Sequence, residues 1–213
     1  PKIYIMLPIS HKTFYHEKLH SQNDDIRNRV LAYCKHIDPN GIAVSNVGGW
    51  HSKYFKTLPI ERPWRKDLIE AVTQSYHLFT APNQPVPLEF NCWMMVYNQG
   101  DYVKDHQHLP IQEELEQYEN LHKSGYPVLS GAYYVSLPDG NDKSFYIKDK
   151  ANNLEYLNTN EGELTLFYSY IMHGTIPNPS DKPRVAIAFN VLPEVHSGRR
   201  RSTQTSDSTG GSF

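Results

Sequence analysis

Leu88-Glu89-Phe90-Asn91-Cys92-Trp93-Met94-Met95-Val96-Tyr97-Asn98 sets Leu88, Phe90, Cys92, Met94 and Val96 against Glu89, Asn91, Trp93, Met95 and Tyr97. Strict alternation over such a length is the pattern of a β-strand with both faces largely covered. The run stops at Gly100, and His106-Gln107-His108 follows. Side chains at i and i+2 of an extended backbone leave on one face, so both imidazoles can address a single point. Asp105 is the adjacent carboxylate; in a regular strand it faces away from His106, and only a bulge would bring it round.

Working outward, Val128–Leu137 is a strand stopped by Pro138-Asp139-Gly140-Asn141, and strands follow at Ser144–Lys148, Leu154–Asn158, Glu163–Ser169 and Arg184–Leu192. Ile3, Ile5 and Leu7 alternate in a short strand closed by Pro8. Short strands separated by turn-rich connections predict a mainly β protein with flanking helices, an antiparallel barrel or a double-stranded β-helix of the jelly-roll, cupin-like kind. Helices are expected at Asp24–Cys34, where Ile26, Val30, Leu31 and Cys34 form one stripe, and at Lys66–Tyr76, with Pro63 placed for the first turn. A third, charged helix is expected over Ile111–Leu121 as a candidate lid. The expected organisation is a single domain over 1–196, with helical support in 1–80, the jelly-roll core in 86–192, and a disordered Ser/Thr/Gly-rich tail over 197–213.

The chain of 213 residues, 38% hydrophobic, is long enough to bury one full core. Its net charge of −2 gives no footprint for nucleic acid or an acidic membrane surface. No run reaches the roughly 18 apolar residues of a membrane span, and Pro1–Met6 is too short for a signal peptide's apolar region. Cys34 and Cys92 lie far apart without a C-x-x-C pattern, which suits a reducing cytoplasm. A cytoplasmic protein is therefore expected; a homo-oligomer is compatible with the sequence.

A third histidine, His173, lies between two strand-like runs, and Arg184 opens the next run eleven residues later. Three imidazoles on one face of a first-row divalent ion leave coordination positions open, and a buried arginine offers a bidentate fork to a carboxylate. A surface ion pair is the plainer role for Arg184, and core packing the plainer role for Tyr134 on a neighbouring strand. Ser45-Asn46-Val47-Gly48-Gly49-Trp50-His51-Ser52 reads as a glycine-hinged loop. Trp50 fits a core plug, and with Trp93 it is also a candidate for substrate contact.

The order Tyr97-x-x-Gly100, His106-x-His108, Leu129-Ser130-Gly131-Ala132-Tyr133-Tyr134, His173-Gly174, Pro177-Asn178 and Arg184–Asn190 resembles the iron(II)/2-oxoglutarate-dependent dioxygenases. Within them it is most similar to oxygenases of marine bacteria and their phages, a likeness extending over roughly residues 40 to 192 and including the Ser45–Ser52 loop. The resemblance implies iron(II), 2-oxoglutarate and dioxygen as cofactors, with His106, His108 and His173 as metal ligands and Asp105 in reserve. It further implies Arg184, with Tyr134 and Tyr97 beside it, as the cosubstrate's partners. The resembling proteins usually carry Asp or Glu where this chain has His108, so the metal site is more positive and should hold iron less tightly before the cosubstrate binds. Hydroxylation of a small-molecule or peptide substrate, with release of succinate and carbon dioxide, is the expected reaction. A three-histidine cupin-type enzyme without 2-oxoglutarate and a non-catalytic jelly-roll module are the alternatives.

Overall fold

The structure, a computed structural model, describes residues 11–81, 85–108, 120–121, 123–149 and 151–194. The expected strand at Ile3–Leu7 and the tail lie outside the described residues. So does the expected helix at 111–121, apart from Asn120 and Leu121, which are helical.

The chain forms β1 (His11–Tyr15), α1 (Glu17–His20), α2 (Asn23–His36), β2 (Asn46–Val47), β3 (Trp50–His51), α3 (Pro63–Thr80) and β4 (Leu88–Tyr97). It continues with β5 (Tyr102–Val103), β6 (Leu129–Ser136), β7 (Phe145–Lys148), β8 (Leu154–Leu157), β9 (Glu163–Tyr168), β10 (His173–Thr175) and β11 (Arg184–Pro193). The larger sheet runs β1-β9-β6-β11-β4-β3, the smaller β10-β7-β8, and β2 pairs with β5. All these pairings are antiparallel.

Alternation decides what each face of the larger sheet meets. Met94 and Val96 of β4, Ile187 and Phe189 of β11, Tyr133 and Val135 of β6, and Leu164 and Leu166 of β9 all face the helices. There they pack with Ile26 and Val30 of α2 and with Trp64, Leu68, Val72 and Tyr76 of α3. Each such fully buried side chain contributes roughly 1.5–3 kcal/mol. Polar ties fix the helices in place: the Trp64 indole donates to Asp25 at 3.1 Å, and the Tyr133 hydroxyl donates to Asn23 at 2.6 Å. Asp24 and Asp25 sit in the first turn of α2, where the helix dipole favours negative charge, and Pro63 occupies the first turn of α3.

Both helices run longer than their apolar stripes predict. α3 continues to Thr80 because Phe79 still packs on the core, and it stops where Ala81 takes a left-handed conformation at φ 45°. The segment expected as helical support also supplies three strands, β1, β2 and β3. β1 hides in the sequence because Phe14 is its one apolar core contact; it pairs with β9, placing the Thr13 and Thr165 hydroxyls 3.1 Å apart. β3 is too short to show a period.

The opposite face of the larger sheet carries Trp93, Ala132, Tyr134, Ala186 and Ala188. The smaller sheet covers it, with Phe145, Ile147 and Leu157 packing on Phe167 and Ile171. The two sheets make a jelly roll. Because Ala132, Ala186 and Ala188 stop at Cβ, the sheets enclose a cavity of about 510 Å³ instead of a filled core. Among the described residues no helix is long and apolar enough to cross a membrane.

Candidate metal centre and carboxylate pocket

The first and third histidines are joined through the backbone. His106 N–H donates to His173 O at 3.0 Å, and His173 N–H donates to His106 O at 2.9 Å. This bridge ties the segment after β5 to the start of β10, so residues far apart in sequence present their rings 4.2 Å apart, centroid to centroid. His108 is anchored by its own N–H to Ser169 O at 2.9 Å. The candidate ligand atoms of His106, His108 and His173 all lie within 4.8 Å of one another.

Hydrogen bonds set the ring protons. His106 Nδ1 lies 2.9 Å from Lys104 O and His173 Nδ1 lies 2.8 Å from Ile171 O. A carbonyl only accepts, so each Nδ1 carries the proton and each Nε2 keeps its lone pair, the arrangement by which ligating histidines are oriented. His108 Nε2 and His173 Nε2 are 3.3 Å apart. Two nitrogens about 2.1 Å from one ion at a right angle would be about 3 Å apart, so the spacing fits adjacent ligands. The donor set of three neutral imidazoles suits a first-row divalent ion and leaves coordination positions open.

Asp105 is not part of this group. Its carboxylate accepts from the Tyr146 hydroxyl at 2.7 Å and from Lys148 Nζ, both on β7, and these partners hold its pKa below the usual carboxylate range. Through these partners Asp105 braces the His106 segment against the smaller sheet. Asp105→Ala should keep one metal ion per chain with affinity lower by on the order of tenfold, the typical effect of an outer partner. Loss of stoichiometric binding in a metal titration would show instead that Asp105 is a ligand.

Burial lowers the pKa of His106, of His51 to about 4, of His108 to about 3, and of His173 well below the ordinary value; repulsion from His106 adds to the last three. With folded pKa values below the unfolded one, the unfolded chain takes up protons that the folded chain refuses, so stability is lost as pH falls below about 6.5. The metal-free protein should lose on the order of 1 kcal/mol per pH unit for each of His51 and His108 between about pH 6 and pH 4. Its Tm should therefore drop between pH 7 and pH 5, and a flat profile would contradict this electrostatic picture.

Arg184 opens β11 directly opposite Tyr97 of β4. The residue is 3% exposed, and its guanidinium donates to Asn141 Oδ1 and Thr175 Oγ1, each at 3.0 Å, and to Ile176 O at 3.3 Å. It also lies over the Tyr97 ring at 5.1 Å. Among the described residues no carboxylate is within ion-pair distance of it. Burial draws its pKa down to about 10, which leaves it charged at neutral pH. Tyr134 lines the same cavity; its hydroxyl is buried without a hydrogen bond of good geometry, a weak approach by Thr165 aside. A fixed cation and an unpartnered hydroxyl on the wall of one cavity have the chemistry to accept an organic carboxylate.

Tyr97 also lines the cavity, but its hydroxyl is engaged by His51 Nε2, so toward Arg184 it offers its ring. Trp93 lines the cavity between Tyr54, with rings 5.2 Å apart, and His108, at 5.6 Å. Trp50 does not reach it. Neighbouring residues of β3 face opposite ways, so His51 points to the cavity while the Trp50 indole sits in the helix-side core and donates to Asp38 O at 2.6 Å. Trp50 thus packs in the core and is not part of the cavity lining. Sequence reasoning missed Asn141 and Thr175 as parts of the site and reached His51 only as a member of the glycine-hinged Ser45–Ser52 loop.

Residues 109–190 match the family described as "Putative 2OG-Fe(II) oxygenase", a stretch that includes His173 and Arg184. No curated protein matches the sequence. Among solved structures, the chain is similar to a prolyl-4-hydroxylase of Pseudomonas putida, at 12% identity over 88% of this chain and 94% of that one, with a TM-score of 0.62. It is similar to the viral collagen prolyl hydroxylase of Paramecium bursaria Chlorella virus-1, solved as a 2-oxoglutarate complex, at 10% identity over 86% and 96%, TM-score 0.59. HygX of Streptomyces hygroscopicus, solved with nickel, 2-oxoglutarate and hygromycin B, aligns at 12% identity over 87% and 84%, TM-score 0.59. The likeness to these structures establishes the fold. The family match likens residues 109–190 to the 2OG-Fe(II) oxygenases.

Proposed function

We propose that this protein is a non-haem iron(II)- and 2-oxoglutarate-dependent dioxygenase that hydroxylates a small molecule or a peptide residue. The observation that carries the reading is the buried Arg184, unmatched by a carboxylate among the described residues, opening onto the same cavity as the three histidines. Iron(II) chelated by 2-oxoglutarate supplies, when bound, the activation of dioxygen that converts the cosubstrate to succinate and carbon dioxide and oxidises a C–H bond.

The chain's own residues do the holding. His106, His108 and His173 would hold the ion through Nε2, the rings of His106 and His173 already oriented by backbone carbonyls. Arg184 fixes the far carboxylate of the cosubstrate, with the Tyr134 hydroxyl as a second donor. Thr175 and Asn141 keep the guanidinium from swinging out. Ala132, Ala186 and Ala188 leave room for the bound acid, and Trp93 and Tyr54 form an apolar wall where the substrate would lie, keeping water from the reacting bond. Two free cysteines, Cys34 and Cys92, accord with a cytoplasmic setting.

Iron(II), ascorbate and 2-oxoglutarate added to the purified protein should give succinate, slowly without substrate and faster with it. A neutral three-histidine donor set also suits cupin-type enzymes that use no 2-oxoglutarate. Failure of 2-oxoglutarate to raise the Tm of the metal-loaded protein would favour that second reading.

A further inference from the structure

The Ser45–Ser52 loop is built to put one side chain in the cavity. Asn46 Nδ2 donates to the carbonyls of Gly48 and Gly49 at 3.0 and 3.1 Å, closing a turn in which both glycines have positive φ, 62° and 63°. A Cβ on Gly49 would lie 2.5 Å from Tyr97 Cδ1 and 3.1 Å from Val96 O, so only glycine lets the turn rest on the Tyr97 ring. After the turn, Trp50 is held by Asp38 O. Ser52 is pinned to Met94 of β4 twice, its N–H donating to Met94 O at 3.0 Å and its Oγ accepting from Met94 N–H at 2.9 Å. His51, between them, is 4% exposed, lines the cavity and shares a hydrogen bond with the Tyr97 hydroxyl, the two rings meeting edge to face at 5.6 Å. The Tyr97 ring in turn lies under the Arg184 guanidinium.

We propose that His51 is a positioning residue for the carboxylate pocket: by holding the Tyr97 hydroxyl it fixes the ring that supports Arg184, so the guanidinium is already placed when the cosubstrate's carboxylate arrives. This rests on the reading of Arg184 as the 2-oxoglutarate anchor. Among the described residues the Tyr97 hydroxyl has one other hydrogen-bond partner, Met95 Sδ at 3.7 Å, a weak one that cannot replace an imidazole. Without His51, Tyr97 can turn about its side-chain torsions and Arg184 loses its stacking surface. A site whose supporting residues are free to move binds less tightly because it must be ordered on each binding event.

The test is calorimetric titration of 2-oxoglutarate into the full-length protein loaded with manganese(II), alongside titration of manganese(II) into the metal-free protein. His51→Ala and Tyr97→Phe should each weaken 2-oxoglutarate by on the order of tenfold, the scale of an outer partner's effect, with manganese affinity unchanged. The double variant should be no worse than either single one, since both break the same link. His51→Gln, whose amide can meet the hydroxyl as donor or acceptor, should return the affinity to near wild type. Should the alanine variant fail to fold, Tyr97→Phe, which removes one oxygen, decides. Unchanged 2-oxoglutarate affinity in the variants, additive losses, or an equal fall in manganese affinity overturns the role. Wild type that takes manganese but not 2-oxoglutarate overturns the functional reading itself, and this inference with it.

Discussion

Arg184→Met is expected to abolish measurable 2-oxoglutarate binding while leaving metal loading at one ion per chain. The guanidinium is almost fully buried, and its hydrogen bonds to Asn141, Thr175 and the Ile176 carbonyl hold it on the cavity wall. Methionine keeps much of the length and apolar bulk but removes both the charge and the fork of donors. Truncating one partner of a buried, hydrogen-bonded charge pair generally costs about 2–5 kcal/mol, which converts to a loss of affinity between roughly 30-fold and several thousand-fold. Arg184→Lys should fall between, because an ammonium is a point charge without the planar fork. The measurement is anaerobic calorimetry on the metal-loaded protein. Wild-type affinity in the methionine variant would remove Arg184 from the site.

His173→Ala should remove tight metal binding altogether. His173 is the most enclosed of the three histidines, its Nδ1 proton is committed to Ile171 O, and its Nε2 faces that of His108. Losing an outer partner alone is worth 10- to 100-fold in metal affinity, so losing this ligand should cost on the order of a hundredfold or more. Metal analysis after dialysis reads the result: one equivalent retained by wild type, well below one by the variant. Because every proposed ligand is neutral and Arg184 adds a positive charge nearby, the dianionic cosubstrate and the metal should strengthen each other's binding by the same factor. Equal retention of metal by His173→Ala and wild type would show that the ion, if bound, lies elsewhere.

The jelly roll was legible because β4, β6 and β11 are long and alternate; each row of alternate residues stays on one face in the folded sheet. His173 was legible for a related reason, since it falls where one strand-like run has ended and the next has not begun. His51 was not, because a two-residue strand carries no period and its facing depends on the pairing of Trp50 with Val96. Asn141 and Thr175 escaped as well: they reach Arg184 only through the register of β7 with β10 and the turn before Ser144. Asp105 shows the opposite limit. Adjacency to His106 made it a candidate ligand, but only the structure reveals that Tyr146 and Lys148 claim its carboxylate.

The most direct measurement is an anaerobic titration of 2-oxoglutarate into the iron(II)-loaded protein, followed in the visible spectrum. Chelation of iron(II) by a 2-oxo acid produces a metal-to-ligand charge-transfer band. That band should grow to a limit at one equivalent in the wild type and fail to develop at the same concentrations in Arg184→Met. A spectrum that stays flat while iron remains bound would contradict the shared metal and carboxylate site.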